Sequence, residues 1–145
     1  MSKQFKYKSL MDSLKILNCP DNRCKEVNID GYRWTYADIK NELNFIPAAI
    51  VDQRNNRPRR FNSEDDYMNC SYCGLSMFIS SEMAKNKFTN FPKHIQNLLG
   101  YTHLSKGKLT DAGKASKPDE SGHFDLFEFE NIDLSKSFKI IDTLI

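Results

Sequence analysis

Glu26-Val27-Asn28-Ile29-Asp30-Gly31-Tyr32-Arg33-Trp34-Thr35 is the stretch on which the fold turns. Val27 and Ile29, then Tyr32 and Trp34, alternate around an Asp-Gly pair, and that pattern predicts a tight β-hairpin. Upstream, Phe5, Leu10, Leu14 and Leu17 recur at helical spacing with lysines between them, which predicts an amphipathic helix from about Gln4 to Asn18. Downstream, Ile39, Leu43 and Ile46 share one helical face over Asp38 to Ile46, and Pro47 opens a second short helix over Ala48 to Gln53. Leu75 to Ile79 reads as a strand. Ser80 or Ser81 caps a helix through Phe88, and Pro92 opens another that stops at Gly100. The residues from Ser105 to Gly122 have almost no apolar content and read as a long loop. Phe124 to Ile132 predicts a strand with aromatics on both faces, and Ser135 to Leu144 fits a helix or a strand equally. The fold class is α+β: one small domain over 1–145, with short antiparallel strands and several short helices. Its zinc-bearing half is 1–80 and its helical, acidic-strand half is 81–145, with the long loop at 105–122.

At 145 residues the chain can bury roughly two-thirds of its unfolded surface, so it has no general need of cross-links. Four cysteines therefore require a reason. They fall as Cys19-x4-Cys24 and Cys70-x2-Cys73, separated by 45 residues, with Gly74 after the second pair. Two close pairs on tight turns suit a tetrahedral zinc ion, and the glycine accepts the backbone angles of a metal knuckle. Cys70 to Gly74 resembles a zinc knuckle of the zinc-ribbon kind, with Cys19 to Cys24 as a looser version. The resemblance implies a structural Zn2+ ion held by Cys19, Cys24, Cys70 and Cys73. A shell of four thiolates leaves no open position for water, so the metal would be structural rather than catalytic. His94 or His103 could stand in for one thiolate but is not needed. No apolar run reaches bilayer length, and Met1 to Lys6 leads into an amphipathic stretch rather than a signal-peptide core. Together with the thiols, this predicts a cytoplasmic protein without membrane contact.

The net charge of +2 conceals an asymmetry. From Asp119 onward seven acids face two lysines, a net −5, so the first 118 residues carry +7. Arg54, Arg57, Arg59 and Arg60 form an exposed basic loop suited to phosphates, and Tyr32, Trp34 and Tyr72 could stack on bases beside it. The competing reading is a solvated loop paired with Glu64, Asp65 and Asp66. Asp125, Glu128 and Glu130 on the C-terminal strand would meet a basic protein partner if that strand is an edge; if it is central, its phenylalanines are core. His103 and His123 flank the long loop and would supply acid-base groups to a small hydrolase or nuclease if they shared a site. Phosphate loops, the HExxH pattern and a nucleophile elbow are absent. Contact surfaces outnumber catalytic groups. The reading is a zinc-stabilised binding or regulatory protein, an adaptor, inhibitor or immunity-type protein that contacts a protein partner. A nucleic-acid-binding module is the first alternative and an enzyme the second. The lysine, asparagine, isoleucine and phenylalanine content suggests an AT-rich bacterial or phage genome.

Overall fold

The computed structural model describes residues 3–58 and 66–145. Its strands are β1 (Lys25–Glu26), β2 (Asp30–Thr35), β3 (Leu75–Phe78), β4 (His103–Lys108), β5 (Gly113–Ala115), β6 (His123–Glu128) and β7 (Lys139–Thr143). They form one antiparallel sheet in the order β1-β5-β6-β3-β2-β4-β7. Five helices accompany it: α1 (Lys8–Ser13), α2 (Ala48–Arg54), α3 (Asp66–Ser71), α4 (Ser81–Thr89) and α5 (Lys93–Leu99). The chain is thus a small α+β domain. Strands from before and after residue 80 interleave in the sheet.

Where local signals were strong, the elements form as expected. Pro47 precedes α2, the Ser80 hydroxyl accepts from the Met83 amide at the start of α4, and Gly100 closes α5 at φ 75°. The N-terminal helix is shorter than its periodicity predicts. Phe5 bridges to Phe129, the Lys6 amide donates to the Glu128 carbonyl, and Lys15 turns to φ 58°, so only six residues stay helical. Between Asp38 and Ile46 only a 3-10 turn, Glu42–Phe45, forms. Buried Asn44 accepts from the Tyr36 amide and donates to the Asp38 carbonyl, fixing a loop where a helix was expected.

The Asp30-Gly31 hairpin does not form. Asp30 and Gly31 begin β2, which runs through Thr35 and pairs along its whole length with β4. Gly31 serves a close approach instead of a turn: a Cβ there would lie 2.8 Å from Leu109 Cδ1. The expected loop at 105–122 is also replaced by structure, because it contains most of β4 and all of β5. Leu109 apart, small residues do the burying there. Ala112, Ala115, Gly107 and Gly113 are buried, and a Cβ on Gly107 would stand 2.2 Å from Phe138. The acidic strand is central, between β5 and β3.

One face of the sheet carries a continuous core of Phe45, Leu75, Met77, Leu109, Phe124, Leu126, Leu134 and Phe138. The other carries two. One gathers Leu10, Met11, Ala49, Tyr72 and Phe127, and the second gathers Phe78, Ala84, Phe88, Leu104 and Leu144.

The four cysteines do not build a zinc site. Cys19 and Cys70 are joined by a disulfide, while Cys24 and Cys73 are buried thiols outside it. Among the described residues no group of three or more His, Cys, Asp or Glu side chains could hold a metal. Cys70 lies within α3 rather than on a knuckle turn, and Cys73 enters the core, 1% exposed. The bond takes one thiol from each pair, which breaks up the set of four ligands. The cytoplasmic expectation falls with it, because a structural disulfide persists in an oxidising compartment. No helix among the described residues is long and apolar enough to cross a membrane.

Candidate functional site

The seam between β2 and β3 is held by a single residue pair, Tyr32 with Phe78, after which the strands diverge. Arg33 fills the wedge. Its Nε donates to the Asn44 carbonyl at 2.6 Å and its Nη1 to the Ser76 carbonyl at 2.7 Å. The residue is 7% exposed, and no ion pair reaches it among the described residues. Burial pulls its pKa below the usual arginine value, while more distant acids and tyrosines oppose that shift. A buried cation held only by neutral carbonyls retains part of its desolvation cost.

Above the wedge lies a groove of about 760 Å³, lined by residues of both cores on that face of the sheet. Ile46, Pro47, Ala48 and Val51 form one wall, and Leu98, Leu99, Tyr101, Tyr36 and Trp34 form the other. The floor is polar: Arg33, Ser71, Ser76, His123 and Asp125. Strand register brings these groups together, because β3 and β6 pair Ser76 with Asp125 and Phe78 with His123. Ser76 Oγ lies 2.6 Å from His123 Nε2. On the other side of the ring, His123 Nδ1 faces Asp119 Oδ2 at 3.9 Å. Asp119 Oδ1 accepts from the Ser121 amide, the Ser121 hydroxyl and the His123 amide. Desolvation pushes the Asp119 carboxyl upward, but the hydrogen bonds from Ser121 and His123 together outweigh it and hold the group below its ordinary range. Asp125, 3% exposed, is pushed the other way by burial, despite His123 nearby and a hydrogen bond to Ser71. A smaller cavity of about 390 Å³ lies beside the disulfide, lined by Cys24, Cys70 and Tyr67, and it shares Ser71 and Asp125 with the groove.

The residues singled out from sequence scatter. Arg54 is exposed and paired to Glu42 at 2.8 Å, and Arg57 lies on the groove rim 3.9 Å from buried Asp52. Arg59 and Arg60 lie outside the described residues, as do Glu64 and Asp65. Tyr72 is 3% exposed, with its hydroxyl on Asp52, so it presents no stacking face. Asp125 and Glu128 are buried within the central strand, and Glu130 is exposed just beyond it. Glu128 accepts from Lys6 Nζ at 2.7 Å. His103 and His123 do not share a site: β3 and β2 lie between their strands, and His103 contacts Thr102. His94 is exposed on α5. Of the three histidines, His123 alone lines the groove.

Arg33 and Ser76 went unremarked in the sequence. A charged residue between Tyr32 and Trp34 reads as the solvent face of a strand, and Ser76 and His123 are 47 residues apart. No family model matches this chain, and no curated protein and no solved structure matches it either.

Proposed function

We propose that the protein works by contact, and that its receptor surface is the groove over the β2/β3 seam. The partner is a protein that presents an acidic group flanked by apolar side chains. The single observation that carries this reading is Arg33, a buried guanidinium on the groove floor without a carboxylate at salt-bridge distance among the described residues. An incoming carboxylate would accept from its remaining N–H groups, and a planar fork is well matched to that geometry. The apolar walls would cover the flanking side chains, which suits a mostly apolar site with few polar groups. The volume fits a short segment rather than a whole protein face. The acidic strand no longer supports a contact surface of its own, since Asp125 and Glu128 are buried.

The only tryptophan, Trp34, lines the groove and reports occupancy. Titration with acetyl-Leu-Leu-Glu should change its fluorescence, and acetyl-Leu-Leu-Gln should do so at least tenfold more weakly. Arg33→Met should abolish the preference while Arg33→Lys keeps part of it. Equal response to the two peptides, or none to either, overturns the reading.

A further inference from the structure

A serine hydrogen-bonded to a histidine on the adjacent strand is by itself a common feature of sheets. Three observations set Ser76 and His123 apart. The pair opens into the groove rather than into a core. Asp119, fixed through Oδ1 by three donors, leaves Oδ2 turned toward His123 Nδ1. Arg33, bonded to the Ser76 carbonyl, adds a fixed positive charge to the groove that the hydroxyl also lines.

We infer that Ser76 is a nucleophile activated by His123, and that the groove floor hydrolyses carboxylic esters whose apolar portion lies along its walls. The inference shares the groove with the binding reading but does not depend on which partner fills it. Asp119 Oδ2 faces Nδ1 and Asp125 Oδ1 faces Nε2, each at 3.9 Å, and Ser76 Oγ lies closer to Nε2 than either, at 2.6 Å. In the tautomer that carries its proton on Nδ1, toward Asp119, the Nε2 lone pair accepts from Ser76. As Ser76 Oγ bonds to the ester carbonyl carbon, its proton passes to Nε2, and the negative charge on the carbonyl oxygen falls within the field of Arg33. Collapse breaks the C–O bond, with His123 returning the proton to the departing alcohol. Water then repeats the sequence on the acyl-serine, releasing the acid and restoring the hydroxyl. Asp119 is a positioning residue.

The test treats the oxidised full-length chain with a fluorophosphonate probe and follows intact mass, peptide mapping and p-nitrophenyl butyrate hydrolysis. One adduct is expected, mapped to Ser76 in the unmodified chain, where the result does not depend on any variant folding. Ser76→Ala should abolish it. His123→Gln should slow labelling at least tenfold with the melting temperature retained, and Asp119→Asn should lower kcat while leaving KM near its original value. Absence of an adduct, an adduct elsewhere, or unchanged labelling of His123→Gln overturns the inference. Peptide binding by Ser76→Ala, read by Trp34 fluorescence, separates its failure from failure of the binding reading.

Discussion

The Arg33 guanidinium donates to the Ser76 carbonyl across a seam where the two strands share only the Tyr32 and Phe78 pairing. One side chain therefore substitutes for the ladder bonds that β2 and β3 do not make. Replacing Arg33 with methionine would leave the carbonyls of Asn44 and Ser76 without this donor, and an unsatisfied buried acceptor costs about 1–3 kcal/mol. Urea denaturation of Arg33→Met should show a loss of about 2–4 kcal/mol, and Arg33→Lys a smaller one.

The disulfide and the rejected metal give opposite expectations for two reagents. Cys19 and Cys70 are 51 residues apart, for which the chain-entropy model gives a stabilisation of about 4 kcal/mol. A reducing agent, or Cys19→Ser with Cys70→Ser, should lower the melting temperature by about 10 °C in calorimetry. A chelator should leave it unchanged.

Asp125 and Glu128 should give stability a pH dependence. Burial raises both carboxyl pKa values in the folded protein, opposed by His123 for Asp125 and by Lys6 for Glu128. Between the ordinary carboxylate range and those raised values the folded state binds more protons than the unfolded state, so stability falls as pH rises through that window. Melting temperature should be higher just above the ordinary carboxylate range than in alkaline solution, and Asp125→Asn should reduce the difference. Asp119, Asp133 and Asp142, whose carboxyls are held low, act below the window and do not cancel it.

Gly107 tests the identification of β4. A Cβ there would meet Phe138 at 2.2 Å, and overpacking of a filled core costs about 1–3 kcal/mol. Gly107→Ala should be destabilised by about that amount in chemical denaturation. A mobile loop at 105–122 would instead tolerate the change or gain slightly from it.

The legible elements were those whose signals are local: the Pro47 start of α2, the Ser80 cap of α4, the Gly100 stop of α5 and the apolar run of β3. The stretch from 103 to 115 was illegible because Leu104 and Leu109 are its only large buried side chains and Gly107, Ala112, Gly113 and Ala115 fill most of the other packed positions, which a count of large apolar side chains passes over. Asp30-Gly31 misled for a related reason, since glycine permits tight packing as readily as a tight turn. The cysteines showed their spacing along the chain but not their spatial partners. At the site, His123, Asp125, Arg57, Trp34 and Tyr72 stood out, but each for a role elsewhere. Ser76 joins it through register, and Arg33 through the divergence of two strands, which periodicity does not encode.

The same seam bears on how the chain reaches its folded state. On one side lie β1, β5, β6 and β3, on the other β2, β4 and β7, so each half-sheet joins early strands to late ones. Residues 30–35 must await 103–108, and 75–78 must await 123–126, before either half has its ladder. Such distant pairings close large loops before any contact repays them, and they place this protein among slow folders. Trp34, which meets Phe78 across the seam and Phe88 and Tyr101 beside it, would acquire its native emission only when the two halves dock.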